Sequence, residues 1–239
     1  MSCEGHVLTV ENLHARIGKV PVLRGVSLSV REGETVALLG RNGVGKTSTL
    51  RSILGLLPVT EGRVGYRGQD LRALRAHRIA STGIGYVPQG RGIFPLLSVE
   101  ENMLLGLRQT PEAEVLSDVF TRFPRLKERL DQPAGTLSGG EQQMLAIARC
   151  LVMKPTLIML DEPTEGIMPR LVSDIRRQIA EIAQRGISVL LVEQNLRTAL
   201  RLASRVYLME RGVIVHEATS EALRADPTTI HRYLGVALS

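Results

Sequence analysis

The chain has 239 residues but no tryptophan, only three phenylalanines and four tyrosines. So few rings leave little to stack on bases, which argues against a nucleic-acid partner. It has two cysteines, Cys3 and Cys150, far apart and without metal-ligand spacing. They read as reduced thiols of a cytosolic protein, not as a disulfide or a zinc site. No apolar run reaches transmembrane length, and the richest stretch, residues 145–160, is broken by Arg149, Lys154 and Pro155. Residues 1–6 lack the basic and apolar regions of a secretion signal. The sequence also shows no internal repeat and no low-complexity tail.

What remains has the composition of a soluble globular protein, with 44% hydrophobic and 23% charged residues. The length suits one large α/β domain, or a core with a small subdomain. A net charge of +6 admits an anionic partner. The arginines are scattered, however. Their one local row, Arg72, Arg75 and Arg78, reads as the solvated face of a helix over residues 71–80. Charge alone assigns nothing.

The informative stretch is Gly40-Arg41-Asn42-Gly43-Val44-Gly45-Lys46-Thr47, which fits the phosphate-loop pattern G-x-x-x-x-G-K-[ST]. Residues 35–39 before it form a short apolar run of strand type. Residues 46–57 after it read as a helix with Leu50, Ile53, Leu54 and Leu57 on one face. Glycines between a strand and a helix turn backbone N–H groups inward, where the positive end of the helix dipole also points. That cradle, extended by Ser48, suits the polyphosphate of ATP. Lys46 reaches the β- and γ-phosphates, and the Thr47 hydroxyl ligates Mg²⁺.

Around this loop the pattern alternates strands with helices, which implies a parallel sheet covered on both faces. Residues 6–11 and 26–30 alternate as antiparallel strands, and residues 63–66 and 84–87 offer short strands. From residue 90 to 136 the texture turns helical. Ser98 and Glu101 form a capping box, and Thr110-Pro111 marks a further helix start. Residues 156–160 are a fully apolar strand running into Asp161-Glu162. A helix over 170–184, a buried strand over 187–192, a helix over 196–203 and a hairpin over 205–217 close the chain. Asp161 emerges at the sheet edge, where it can hold Mg²⁺ with Thr47. Glu162 is placed to polarise the attacking water as a general base.

Leu137-Ser138-Gly139-Gly140-Glu141-Gln142 stands between these two elements. Ser138 caps a helix, Glu141 completes a capping box, and the glycines expose N–H donors. In this order and spacing the three motifs resemble those of ATP-binding-cassette (ABC) ATPases over nearly the whole chain. The resemblance implies a P-loop NTPase core with an N-terminal antiparallel β-subdomain and an inserted helical subdomain. Residues 1–239 then form one ABC ATPase domain, with the core at 1–90 and 155–239 and the helical subdomain at 91–154. It also implies that Gln89 senses Mg²⁺ and water, that Glu162 is the catalytic glutamate, and that Ser138, Gly139 and Gly140 close on the γ-phosphate held by a facing subunit. The implied partners are a second ATPase subunit, identical or different, two transmembrane permease subunits received in a groove formed largely by residues 90–106, and indirectly an extracytoplasmic solute-binding protein. The implied location is cytoplasmic, peripheral on the inner face of the cell membrane.

Three positions depart from the family pattern. Ile17 stands where an aromatic usually stacks on adenine. Gln194 replaces the switch histidine; its amide can donate to the γ-phosphate but cannot take up a proton. Met168 occupies the aspartate position of the loop that crosses the dimer. Val192-Glu193-Gln194-Asn195, Gly90-Arg91-Gly92-Ile93-Phe94-Pro95 and Glu165-Gly166-Ile167-Met168-Pro169 resemble ATPase subunits of branched-chain amino-acid and urea importers, the last two leaning to urea. An exporter subunit, a soluble ABC ATPase of ribosomes or DNA, and a non-hydrolysing nucleotide module are the alternatives. One cassette without sustained heptads disfavours the soluble class, and Lys46, Asp161 and Glu162 together disfavour the third.

Overall fold

The computed structural model describes residues 5–107 and 109–235; the Cys3 thiol lies outside them. Strands β1 (His6–Ile17) and β2 (Val20–Arg31) pair antiparallel across the turn at Gly18. They run well beyond the alternating residues 6–11 and 26–30. Bulges interrupt the alternation, with a register shift between Val10 and Leu13 and Asn12 at φ +48°. β3 (Thr35–Leu39), buried at every residue, delivers the chain into α1 (Lys46–Ile53). The helix stops before residue 57, because Gly55 turns left-handed at φ +68° and the N–H groups of Leu56 and Leu57 both return to Arg51 O.

β4 (Val59–Tyr66) and β5 (Gln69–Asp70) follow. The single helix expected over 71–80 is instead a 3-10 turn, Leu71–Ala73, and a short α2 (Ala76–Ile79). Leu74 and Arg75 are extended between them, so Arg72, Arg75 and Arg78 share no helix face. After β6 (Ile84–Val87), α3 (Val99–Leu104) starts on the Ser98–Glu101 capping box. α4 (Ala113–Arg122) starts at Glu112 without a side-chain cap; Thr110 is not its cap. Next come α5 (Pro124–Lys127) and α6 (Gly139–Val152), the latter on the Ser138–Glu141 capping box.

The chain then forms β7 (Leu157–Asp161), α7 (Pro169–Gln184), β8 (Ser188–Glu193) and α8 (Leu196–Leu202). It closes with β9 (Arg205–Glu210), β10 (Val213–Thr219), α9 (Ser220–Arg224) and α10 (Pro227–Leu234). A six-stranded sheet has the order β10-β9-β3-β8-β7-β6, parallel except for β10. A separate antiparallel sheet has the order β2-β1-β4-β5. One apolar cluster joins that second sheet to α1 and β3; another packs the helices between β6 and β7 against the parallel sheet and α7. The architecture is of the α/β class the sequence implied, a mainly parallel sheet beside a separate antiparallel one.

The register decides the site. Leu39 stands beside Glu193, and Asp161 beside Val192. The carboxyl ends of β3, β8 and β7 therefore lie side by side, where parallel sheets place their ligands.

Candidate functional site

Residues 40–45 join the end of β3 to the start of α1. A Cβ at Gly40 would sit 2.5 Å from Met209 O, and Gly45, at φ +115°, is the left-handed N-cap of α1. Only glycine satisfies both demands. Gly45 provides no side-chain cap and the first turn of α1 carries no acid. Thr49 N–H bonds to Gly45 O at 2.9 Å, whereas among the described residues the N–H groups of residues 43–48 donate to no backbone or side-chain acceptor. They face an open cleft of about 600 Å³. The buried Lys46 directs its ammonium to Gly40 O at 2.9 Å, Arg41 O at 3.0 Å and Glu162 Oε1 at 3.1 Å. All three of its donors are engaged.

The acids arrive from the end of β7. Thr47 Oγ1 donates to Asp161 Oδ1 at 3.1 Å, and the Tyr86 hydroxyl donates to Asp161 Oδ2 at 3.3 Å. Burial pushes the Asp161 carboxyl above its ordinary range; the Thr47 bond opposes this and the Glu162 charge adds to it. Burial, with the Asp161 charge beside it, likewise raises the Tyr86 hydroxyl. Glu162 is held at φ +49°, a left-handed conformation that costs a non-glycine residue about 1–3 kcal/mol. Its N–H is anchored to Val192 O at 2.9 Å.

The other expected residues divide. Ile17, Gln89, Lys46, Thr47, Ser48 and Glu162 line the cleft together, and Ile17, half exposed, forms its apolar rim with Val20 and Val22. The Gln89 amide donates to Glu165 Oε2 at 2.7 Å rather than to Asp161 or Thr47. Gln194 is exposed and lines a smaller recess with Gly40, Arg41, Leu234 and Gly235, not the main cleft. Ser138, Gly139 and Gly140 also stand apart from the cleft lining. Ser138 is engaged by its own helix: its hydroxyl and N–H both donate to Glu141 Oε2, at 2.7 and 2.9 Å.

Two residues were not anticipated. Tyr86 is a phenol in an otherwise apolar strand, and that lone hydroxyl was the available signal. Glu193 ends a fully buried strand just as Asp161 does. Its carboxylate accepts from Thr164 Oγ1 at 2.8 Å and from Asn195 N at 3.2 Å. Cys150 is a buried free thiol, raised to about 11 by burial, and bonds to Tyr86 O.

The residues present fit a magnesium nucleotide. Unpaired N–H groups and an ammonium would meet the phosphates, while Asp161 and Thr47 form an all-oxygen pair. Mg²⁺ is usually held in that way, by one or two protein oxygens plus phosphates. Among the described residues no group of three or more His, Cys, Asp or Glu side chains could hold a metal without such a ligand.

A sequence model of the family described as ABC transporter matches residues 23–165. Over 232 residues, 96% of this chain and 100% of the relative, it is 42% identical to the high-affinity branched-chain amino acid transport ATP-binding protein BraG of Pseudomonas aeruginosa. It is 37% identical to the lipopolysaccharide export system ATP-binding protein LptB of Haemophilus influenzae, over 96% of this chain and 97% of that one. A structure of an ATP-binding cassette, dimeric in a post-hydrolysis state with ADP and Pi, superposes with a TM-score of 0.78. That pair is 25% identical, over 89% of this chain and 98% of the other.

Proposed function

The chain belongs to the ABC transporter family and is an ATPase, and on that premise we propose that it powers an importer of branched-chain amino acids, urea or related small amides. Members of the family dimerise and work with transmembrane permease subunits. We take residues 1–90 with 155–239 as the nucleotide-binding core and 91–154 as the helical subdomain. One observation carries the catalytic reading: Lys46, Thr47 and Glu162 line one cleft whose backbone donors are unused, and the buried Asp161 is joined to it through the Thr47 hydroxyl.

In this reading Lys46 exchanges its bonds to Gly40, Arg41 and Glu162 for the β- and γ-phosphates. Glu162, released from Lys46, orients the attacking water and accepts its proton. Asp161 and Thr47 would hold Mg²⁺, which would neutralise phosphate charge, and Gln89 would give up Glu165 to sense it. Gln194 reaches round from its recess to the γ-phosphate, and Ile17 packs on the base without ring stacking. Ser138 and Gly140 act on the nucleotide of the facing subunit.

Among the described residues no helix is long and apolar enough to cross a membrane. We place the chain on the inner face of the membrane, docked on its permease subunits, with an extracytoplasmic binding protein delivering solute. An apolar groove lined by Leu54, Leu56, Ala80, Tyr86, Leu105 and Met153 is the docking surface in this reading. Residues 90–106 contribute only Leu105 to its lining, so the walls come mainly from residues 54–56, 76–86 and 149–153.

The likeness to BraG supports amino-acid import, whereas the urea leaning rests on residues 90–95 and 165–169 alone. The likeness to LptB favours a second reading, export of a lipid-linked glycan. Purifying the chain from membranes with its permease subunits and binding protein, then assaying ATP hydrolysis in proteoliposomes, separates them. Import predicts stimulation by leucine, isoleucine, valine or urea. Stimulation by lipopolysaccharide alone contradicts it.

A further inference from the structure

Glu193 is a buried acid, 2% exposed, at the carboxyl end of β8, and no phosphate-binding role uses it. Its carboxylate accepts from Thr164 Oγ1 and from Asn195 N. Burial pushes its carboxyl above the ordinary range, opposed by the Thr164 and Asn195 bonds and reinforced by the Glu162 charge. An apolar side chain would hold the end of this strand without such desolvation. Packing therefore does not explain an acid here.

The two donors come from different parts of the site. Thr164 lies two residues after Glu162, in a turn closed by Glu165 N–H to Glu162 O at 3.1 Å and Ile167 N–H to Thr164 O at 3.4 Å. That turn continues to Met168, which is 65% exposed and is the N-cap of α7. Asn195 lies one residue after Gln194, and its side chain caps α8 through Thr198 N at 3.0 Å. Glu193 thus ties the turn that carries Glu162 to the loop that carries Gln194. Glu193 itself is not part of the cleft lining.

We infer that Glu193 is a positioning residue for hydrolysis, clasping Thr164 and Asn195 so that a subunit pressing on the loop around Met168 sets Glu162 and Gln194 together. This rests on the reading of Glu162 and Gln194 given above. A clasp of this kind predicts coupling between Thr164 and Glu193 rather than two independent contributions. It also predicts that turnover suffers while nucleotide binding does not.

The test uses the assembled transporter. Nucleotide affinity is read with a fluorescent ATP analogue and turnover by phosphate release, for Thr164→Val, Thr164→Ser, Glu193→Gln and the double variant Thr164→Val/Glu193→Gln. Thr164→Val and Glu193→Gln should each slow turnover about five- to twentyfold, with affinity within about twofold of wild type. Thr164→Ser, which keeps the hydroxyl, should restore wild-type turnover. The double variant should be no slower than the slower single one. Wild-type turnover in Thr164→Val, multiplying losses in the double variant, or an affinity loss matching the turnover loss would each overturn the clasp. Glu162→Gln, assayed alongside, keeps the two readings apart. Unchanged turnover there overturns the general-base role, whereas a slow Glu162→Gln beside a normal Thr164→Val overturns the clasp alone.

Discussion

Two helix starts in this molecule are built from the same materials and finished differently. α1 begins at Gly45 after a glycine loop, and α6 begins at Ser138 before two glycines. Every helix start has N–H groups without intrahelical partners. At α1, among the described residues, no side chain meets them, the first turn carries no acid, and the residues line a cleft. At α6 the Ser138 hydroxyl accepts from Glu141 N at 3.4 Å, and Glu141 in turn accepts from Ser138. The first start is left open, which suits a ligand in the reading proposed above. The second is completed by its own side chains, and stands ready without one. In the reading proposed above, the difference separates where a nucleotide binds to this chain from where the chain acts on a nucleotide bound elsewhere.

The strongest way to break this contrast is at Lys46. Lys46→Ala should lower ATP affinity by about a hundredfold and abolish turnover, read by titration calorimetry and phosphate release. Glu162→Gln should leave binding intact and slow turnover at least about tenfold, with an ATP-bound dimer accumulating on size exclusion. Ser138→Ala sharpens the contrast. It should slow turnover by about fivefold while the affinity of the isolated chain for ATP stays within about twofold, because the cap itself contributes only about 1 kcal/mol. An affinity loss there would merge the two regions into one site. Gln194→Ala should lower turnover a few-fold and Gln194→His should keep most of it, since only the latter retains a donor.

The smallest effect expected is with acid. Burial raises Glu141, but the Ser138 hydroxyl and N–H, with Arg129 nearby, outweigh it and hold Glu141 below its ordinary value. Its folded form is thus the better acid, so the cap's contribution is present above the ordinary value of 4.5 and lost as pH falls through the lower folded value. Amide resonances of residues 138–141 should move below pH 4.5, and Glu141→Gln should remove that movement.

The phosphate loop, the strand leading to Asp161 and both capping boxes were legible because each is a local rule, read from a few neighbouring residues. Three boundaries were not. The helix of residues 46–57 ends early at the left-handed Gly55, and the helix of 71–80 breaks where Leu74 and Arg75 turn extended. β1 runs past its alternating residues because a bulge at Asn12 reverses the facing pattern. The site was legible as residues but not as an arrangement. Nothing local placed Gln194 in a recess with Gly235, paired Gln89 with Glu165, or brought Thr164 onto Glu193, residues 29 positions apart in sequence. Those facts follow from the non-local strand order β3-β8-β7-β6 and from the end of α10, which brings Gly235 against Arg41.

The central claim is that the cleft at α1 is half of a catalytic site, able to bind ATP alone and needing a second chain for hydrolysis. The most direct measurement is ATP turnover per chain as a function of chain concentration, with ATP binding followed in the same samples. Binding should stay at one nucleotide per chain throughout, while turnover per chain falls towards zero on dilution. Turnover per chain that stays constant down to the lowest concentration would contradict it.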